Sequence, residues 1–347
     1  MHNASRAKSV VPLLLGLMLL SGVPAFAQID FTGVYNGNTN SEDGPERAAG
    51  PSLVEFLGLP INDYARQWGL AYKSSRLSLP EHECQVHVVS YIHRGPFGAR
   101  IWEERDPVTH QLIAINEAIN TYGQHRTIWM DGRPHPSPNA PHTWMGFSTG
   151  RWEGNMLTIT TTHVKQGWYR RSNIPSSDEQ TTVEHWVKNG NTWTHISVTD
   201  DPVYLAEPLI KSEDLNFTGN TNFNPFWNCE YIEEGERVRG DVPSYMPGEN
   251  PWVAEYAAQH NLPQEVTLGG PQTMYPEYRT RMKTLPVAVF TMPGELSQGA
   301  APAPPPGQGG GQRGGAGAAA PAGGGAAPPA GGGGGGGRGG RGARGQN

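Results

Sequence analysis

The feature that most constrains the fold of this chain is a series of short segments, between residues 86 and 199, in which apolar and polar side chains alternate. Such alternation is typical of strands that bury one face. Turn-forming sequences separate the segments, and one of them, Asn189-Gly190, is a strong hairpin signal. The predicted strands are 86–93, 99–104, 111–118, 125–130, 144–149, 156–164, 180–188 and 192–199.

This succession of strands, with no long helix between them, predicts a mainly β fold. We expect an antiparallel meander that closes into a lipocalin-like barrel, with a β-sandwich as the alternative. Short helices are predicted on both sides of it. The apolar spacing of 51–75 predicts two helices separated by Pro60, the second capped by Asn62, and 250–261 predicts one more.

The two ends of the chain differ from its middle. Residues 1–27 combine a basic start, an apolar run and small residues before Gln28, which predicts a secretory signal peptide and a periplasmic or secreted protein. The run is too short for a transmembrane segment. Between the ends we expect a segment with short helices (28–80), the barrel core (81–235) and a C-terminal extension packed on that core (236–292), followed by a disordered Gly/Pro/Ala/Arg tail (293–347).

The charge distribution argues against a nucleic-acid partner. The chain carries a net charge of −6. Because the signal segment and the tail are basic, the residues between them carry about −12, unlike a nucleic-acid-binding domain. The Arg-Gly-Gly repeats of the tail resemble RNA-binding tails. In an exported protein we interpret them as a solvated tether or a contact with the cell envelope.

Only two cysteines are present, Cys84 and Cys229. In an oxidising compartment such a pair predicts one disulfide, and the alternative is two buried thiols.

Several motifs resemble those of a widespread family of exported bacterial proteins. They are "RTIWMDGRPHP" (126–136), "GFSTGRWEGNMLTITTT" (146–162) and "DDPVYLAEP" (200–208). The family patterns are R-x-I-x-M-D-G-R-x-H-P, G-x-W-E-G-x-x-L-x-I-x-T-T and D-D-P-x-Y-L-x-E-P. The similarity covers about residues 80–232, and the two cysteines stand where flanking cysteines of the family are expected. The resemblance implies export and a β-rich fold, but no particular reaction.

Histidines on successive predicted strands are the first candidates for chemistry. His163 ends the apolar face of 156–164, His185 shares a face with Val183 and Val187, and His195 follows on the next strand. These three could converge, or each could serve its own strand. No H-E-x-x-H, H-x-H or C-x-x-C motif is present, so we expect neither a metal nor another cofactor.

Glu117 and Arg126 bracket a predicted hairpin loop and could face each other across it. They form either a structural ion pair or a buried acid beside a cation. Burial would raise the pKa of such an acid and the cation would lower it.

A ligand site is predicted around the loop "RPHPSPNAP" (133–141), whose prolines restrict the backbone. We expect the loop to run extended across one end of the barrel. Arg133 and His135 would line a pocket mouth there, or Arg133 would be an internal strut. The same mouth would include His163 and a basic aromatic loop that contains Lys165, Trp168, Arg170 and Arg171. The alternative for this loop is a solvated hairpin loop that binds no ligand.

Three functions remain open from the sequence. The first is binding of a small lipophilic or aromatic molecule in the barrel. The second is acid–base catalysis as an isomerase, hydratase or hydrolase, with His163, His185 or His135 and with Glu117 or Asp131. The third is a structural role in the envelope through the tail. "GFSTG" matches the nucleophile motif G-x-S-x-G, but Ser148 lacks the strand–turn–helix context that this motif requires.

Overall fold

The computed structural model describes residues 29–37, 56, 58–73, 85–93, 98–119, 123–170, 172–219, 223, 240, 242 and 244–293, which all belong to one compact unit, Met1–Ser297. Within these residues there are eleven strands, β1 to β11 in chain order: Gly33–Gly37, Gly98–Arg105, Leu112–Ile119, His125–Trp129, Phe147–Glu153, Met156–Thr162, Gly167–Arg170, Ile174–Ser176, Thr181–Asn189, Thr192–Asp200 and Leu209–Gly219.

Nine of these strands form a closed barrel in the order β1-β11-β10-β9-β6-β5-β4-β3-β2. The strands β7 and β8 form a separate two-stranded sheet. The predicted mainly β barrel is therefore confirmed. The hairpin between β9 and β10 turns at Asn189-Gly190 as predicted, with Gly190 at a φ of +59° that favours glycine.

Helices are short in the described part of the chain. They are α1 (Asp63–Ala71), α2 (Val89–Ile92), α3 (Glu255–Gln259), α4 (Gln264–Thr267) and α5 (Pro276–Met282), with a 3-10 turn at Pro271–Met274. Asn62 caps α1 as predicted, because its side chain accepts a hydrogen bond from the backbone N–H of Ala65 at 3.0 Å. None of the described helices has the length and apolar character needed to cross a membrane.

One strand pair departs from the predicted antiparallel order. The strands β4 and β5 are parallel, with Ile128 opposite Ser148 and Trp129 opposite Thr149. Parallel neighbours require a crossover connection, and residues 130–146, which contain the proline-rich loop, provide it. The barrel is therefore mixed.

The predicted strand at 86–93 is wrong. This segment is extended only up to Val88 and then forms helix α2. All side chains from His87 to His93 are buried, a pattern that a strand with one solvated face cannot produce. Val89 and Ile92 belong to the same core cluster as the barrel side chains, so α2 packs into the barrel.

The inward face of β9 is not the one that carries His185. Glu184 and Trp186 are buried, whereas Val183, His185 and Val187 are only partly buried on the outer face. Alternation alone does not show which face of a strand points inward. The strand β10 likewise buries His195 and other polar side chains between its outer apolar residues.

Candidate functional site

Five ionisable side chains meet inside the barrel, and we call them the buried charge cluster: His93, Glu117, Arg126, Glu184 and His195. Four of them point inward from β3, β4, β9 and β10, and His93 follows α2 directly. Each side chain is at most 5% exposed. Charged groups at this depth require partners, and the cluster supplies them internally.

Arg126 joins the two carboxylates. The register of β3 and β4 places it opposite Glu117, as the sequence suggested. Its Nε donates to Glu117 Oε2 at 2.6 Å, and its Nη1 and Nη2 donate to the two oxygens of Glu184 at 2.6 and 2.7 Å. The guanidinium therefore holds the carboxylate of β3 by one hydrogen bond and the carboxylate of β9 by two.

Each carboxylate in turn holds one histidine. The Nε2 of His93 lies 2.6 Å from Glu117 Oε1, and the Nε2 of His195 lies 2.9 Å from Glu184 Oε2. An ionised carboxylate only accepts, so both Nε2 atoms carry the proton. In the neutral ring of His195 this leaves a lone pair on Nδ1. The two imidazole centroids are 4.0 Å apart.

The protonation states follow from burial and from the neighbouring charges. Burial alone would raise the pKa of Glu117, but His93 and Arg126 outweigh it and lower the pKa to about 2. Burial alone would also raise the pKa of Glu184. The charge and the hydrogen bonds of Arg126 outweigh burial, so the pKa of Glu184 lies well below its usual value. Burial lowers the pKa of His195 to about 4. At neutral pH both acids are thus ionised and His195 is a neutral base.

A cavity of about 10 Å³ adjoins both histidines. That volume is close to the room one water molecule needs. Two buried polar atoms on its wall, His93 Nδ1 and Ser90 Oγ, have no hydrogen-bond partner among the described residues. Its lining consists of Val89, Ser90, His93, His195, Ser197, Lys211 and Glu213. Two polar atoms thus lack hydrogen-bond partners in a buried position, where an unsatisfied polar atom destabilises the folded protein.

His93, Glu184 and His195 also have the residue types of a metal site, with ligand atoms within 4.8 Å of one another. The oxygens of Glu184, however, already accept from four donors, two on Arg126, one on His195 and one on Trp186. Four is about the number of lone-pair sites a carboxylate has. An ion would have to displace these bonds beside a cation, so the cluster fits acid–base chemistry better than metal binding.

A larger pocket of about 410 Å³ lies where α1 meets α4 and the 3-10 turn. Its charged side chains are engaged already. Arg66 donates to the carbonyl of Leu268 at 2.9 Å and pairs with Asp63, and Glu265 pairs with Arg281 at 2.7 Å. This pocket is larger than the barrel cavity, but the buried polar atoms without partners, His93 Nδ1 and Ser90 Oγ, belong to residues that line the barrel cavity. We therefore place the candidate site in the barrel.

The proline-rich loop brings together only part of the predicted ligand site. Arg133 stacks on Trp129, 3.4 Å from the ring centroid, and pairs with Asp131, whose side chain also closes the turn. His135 and His163 instead share the hydroxyl of Thr162, at 2.8 and 2.7 Å. Arg133 and the two histidines thus make separate contacts, and their role in ligand binding stays a prediction.

The basic aromatic loop is similarly divided. Lys165 lies over the ring of Trp144, 5.0 Å from its centroid. Trp168 is buried in a cluster with Val88 and Tyr91, so stacking on a ligand would require these contacts to open. Arg170 is half-buried in β7, and Arg171 lies outside the described residues.

Of the two arrangements left open for the three histidines, the structure shows the one without convergence. His195 points into the barrel, but His185 lies on the outer face of β9, with its Nδ1 3.2 Å from the hydroxyl of Thr158. His163 follows the last residue of β6 at a φ of +59°, which ends the alternation on which the prediction relied. The strand context of Ser148 is as expected: it lies in β5 and bonds to the hydroxyl of Thr161 at 2.8 Å.

The D-D-P-x-Y-L motif is structural. Asp201 is fully buried and accepts hydrogen bonds from the hydroxyls of Tyr169 and Ser177 and from the backbone of Ser177, Val203 and Tyr204. It thereby joins the loop after β10 to β7 and β8. The other paired prediction, a disulfide between Cys84 and Cys229, falls outside the described residues.

Comparison of the chain with family models, curated proteins and solved structures gives no match. The function is therefore argued from the geometry of the buried charge cluster.

Proposed function

We propose that this protein is an acid–base enzyme that acts on a small molecule at the buried cavity, as an isomerase, hydratase or hydrolase. One observation carries the proposal. The Nε2 of His93 is bonded to an ionised carboxylate at 2.6 Å, while its Nδ1 is buried beside the cavity without a partner in the described chain. A general base needs this arrangement, one nitrogen oriented and the other available to take a proton.

The remaining members of the cluster have supporting roles in this proposal. Glu117 holds the tautomer of His93 and stabilises the imidazolium that forms when His93 takes a proton. Arg126 keeps Glu117 and Glu184 ionised. His195, neutral at physiological pH, provides a second base or, once protonated by the substrate, an acid on the same cavity wall.

Binding of a lipophilic ligand inside the barrel ranks second. The interior is occupied by aromatic side chains, with Phe31, Trp186 and Trp193 in contact at centroid distances of 4.4 to 6.3 Å. A ligand of ordinary size would have to displace them, and a substrate would likewise have to open the cavity of about 10 Å³. The unpartnered Nδ1 of His93 is what favours catalysis over binding alone. Export to the periplasm, and contact of the tail with the envelope, remain part of the proposal because they rest on the two chain termini, outside the described residues.

Two probe reactions test the proposal: hydrolysis of p-nitrophenyl acetate and proton abstraction from nitroethane. Together they cover activation of a nucleophile and removal of a proton from carbon. We expect the protein to accelerate at least one of them, and His93→Gln to slow that reaction by about 100- to 10,000-fold. Glutamine can still donate to Glu117, so the fold should persist.

His125→Gln is the matched control, because His125 is exposed on the outer face of β4 and stacks on Trp102. Its rates should equal those of the wild type, and melting curves should show that all variants are folded. Equal rates for the wild type and His93→Gln in both reactions would contradict the proposal.

A further inference from the structure

A serine lies beside His93 on the wall of the same cavity. Ser90 lies in α2 and His93 is the C-cap residue of that helix, and both line the cavity. Ser90 is only 4% exposed, and its hydroxyl has no partner in the described chain. A buried hydroxyl without a partner costs stability, so alanine would suit this position better if only packing mattered.

The surroundings of Ser90 contain the other groups that nucleophilic catalysis needs. His93 Nδ1 has no hydrogen-bond partner in the described chain, and its ring is oriented from behind by Glu117. Lys211 lines the cavity and donates from its Nζ to the backbone carbonyl of Ser90. Its ammonium group places a positive charge on the cavity wall, which Glu213 also lines. A positive charge there would stabilise an oxyanion that develops in the cavity.

We propose that Ser90 is a nucleophile activated by His93 and Glu117, and that the substrates are small esters or similarly activated acyl compounds. The proposal rests on the proposed function, because His93 is the base in both. The order nucleophile, base and orienting acid recurs on unrelated folds, and the contact between nucleophile and base is often loose before a substrate binds.

The reaction balances without a cofactor. The Oγ of Ser90 attacks the acyl carbon while its proton moves to His93 Nδ1. The bond to the leaving alkoxide then breaks, and His93 returns the proton to that oxygen. A water molecule attacks the acyl-enzyme, His93 takes its proton, and the bond between the acyl carbon and Ser90 breaks with the proton going back to Ser90. The sum is ester plus water to acid plus alcohol.

Methanesulfonyl fluoride, a small sulfonylating probe, tests the nucleophile. It is larger than the water-sized cavity, so labelling requires the side chains around Ser90 to open. Ser90 Oγ would form a bond to sulfur, fluoride would leave, and His93 would take the proton. We expect intact-mass and peptide-mapping spectrometry to find one methanesulfonyl group on Ser90. Ser90→Ala should remain unlabelled. His93→Gln should be labelled at least about 100-fold more slowly than the wild type.

Ser172→Ala is the control, because Ser172 is also buried without a hydroxyl partner in the described chain but does not line the cavity. It should be labelled like the wild type. A folded wild type with no label on Ser90, or with label only elsewhere, overturns the proposal.

Turnover of p-nitrophenyl acetate separates this proposal from the proposed function. Loss of the rate in both Ser90→Ala and His93→Gln, with an initial burst of one nitrophenolate per wild-type molecule, supports both. If Ser90→Ala keeps the rate and His93→Gln loses it, Ser90 is not the nucleophile and acid–base catalysis stands. If neither substitution changes the rate, both proposals fail.

Discussion

Replacing His195 by glutamine should remove a defined part of the pH dependence of stability. The pKa of His195 is 6.5 in its ordinary state and about 4 in the folded protein, chiefly because of burial. The unfolded chain therefore binds a proton that the folded protein excludes between these values. The corresponding stability is fully present above pH 6.5 and is lost as the pH falls through 4. A difference of about 2.5 pKa units corresponds to about 3 kcal/mol.

Urea unfolding measured from pH 7.5 to pH 4 gives the free energy of unfolding for both proteins. The wild type should lose about 3 kcal/mol more than His195→Gln over this range. Other titrating groups contribute to both curves and cancel in the difference, provided that they do not couple to His195. Parallel curves for the two proteins would show that His195 is not buried as a neutral base.

Other predictions concern the loops and the cysteines. Asp201→Ala should lower the free energy of unfolding by about 3 kcal/mol or more, measured by urea titration, because it leaves several buried donors without an acceptor. Arg133→Ala should lower the free energy of unfolding much less than Asp201→Ala in the same measurement, because its pair with Asp131 is exposed to solvent. Protein purified from the periplasm should contain no thiol that reacts with iodoacetamide before reduction and two afterwards, if Cys84 and Cys229 form a disulfide.

Much of the fold could be predicted because strands, hairpins and helix caps are encoded by local sequence patterns. The hairpin at Asn189-Gly190 and the cap at Asn62 depend on neighbouring residues and were recovered. The pair Glu117–Arg126 was also recovered, since a hairpin brings its members together over a short stretch of chain. The strand β11 was missed because its inward positions include Lys211 and Glu213, which give no apolar alternation.

The site could be predicted only in part. Glu117 was identified, but Arg126 also reaches Glu184, 58 residues away, and that contact depends on barrel closure. Ser90 and His93 were assigned to a strand, which would have placed them on opposite faces. The signal that could have revealed the helix is the run of residues 87–93, where apolar and polar side chains alternate too irregularly for one solvated face.

The composition of the barrel interior is itself an argument for function. Removing two carboxylates and one guanidinium from water carries a large desolvation cost. Well-packed apolar side chains of similar volume often stabilise a fold at least as much as such a buried charge cluster. Stability alone therefore does not explain why Glu117, Arg126 and Glu184 occupy the inward positions of three strands. The arrangement has a second effect that apolar residues could not reproduce: each carboxylate orients one imidazole toward a common cavity. Burial keeps His195 neutral, and the carboxylates keep both imidazoles oriented inside a barrel otherwise filled by apolar side chains. A neutral, oriented base is the property that a buried acid–base site requires.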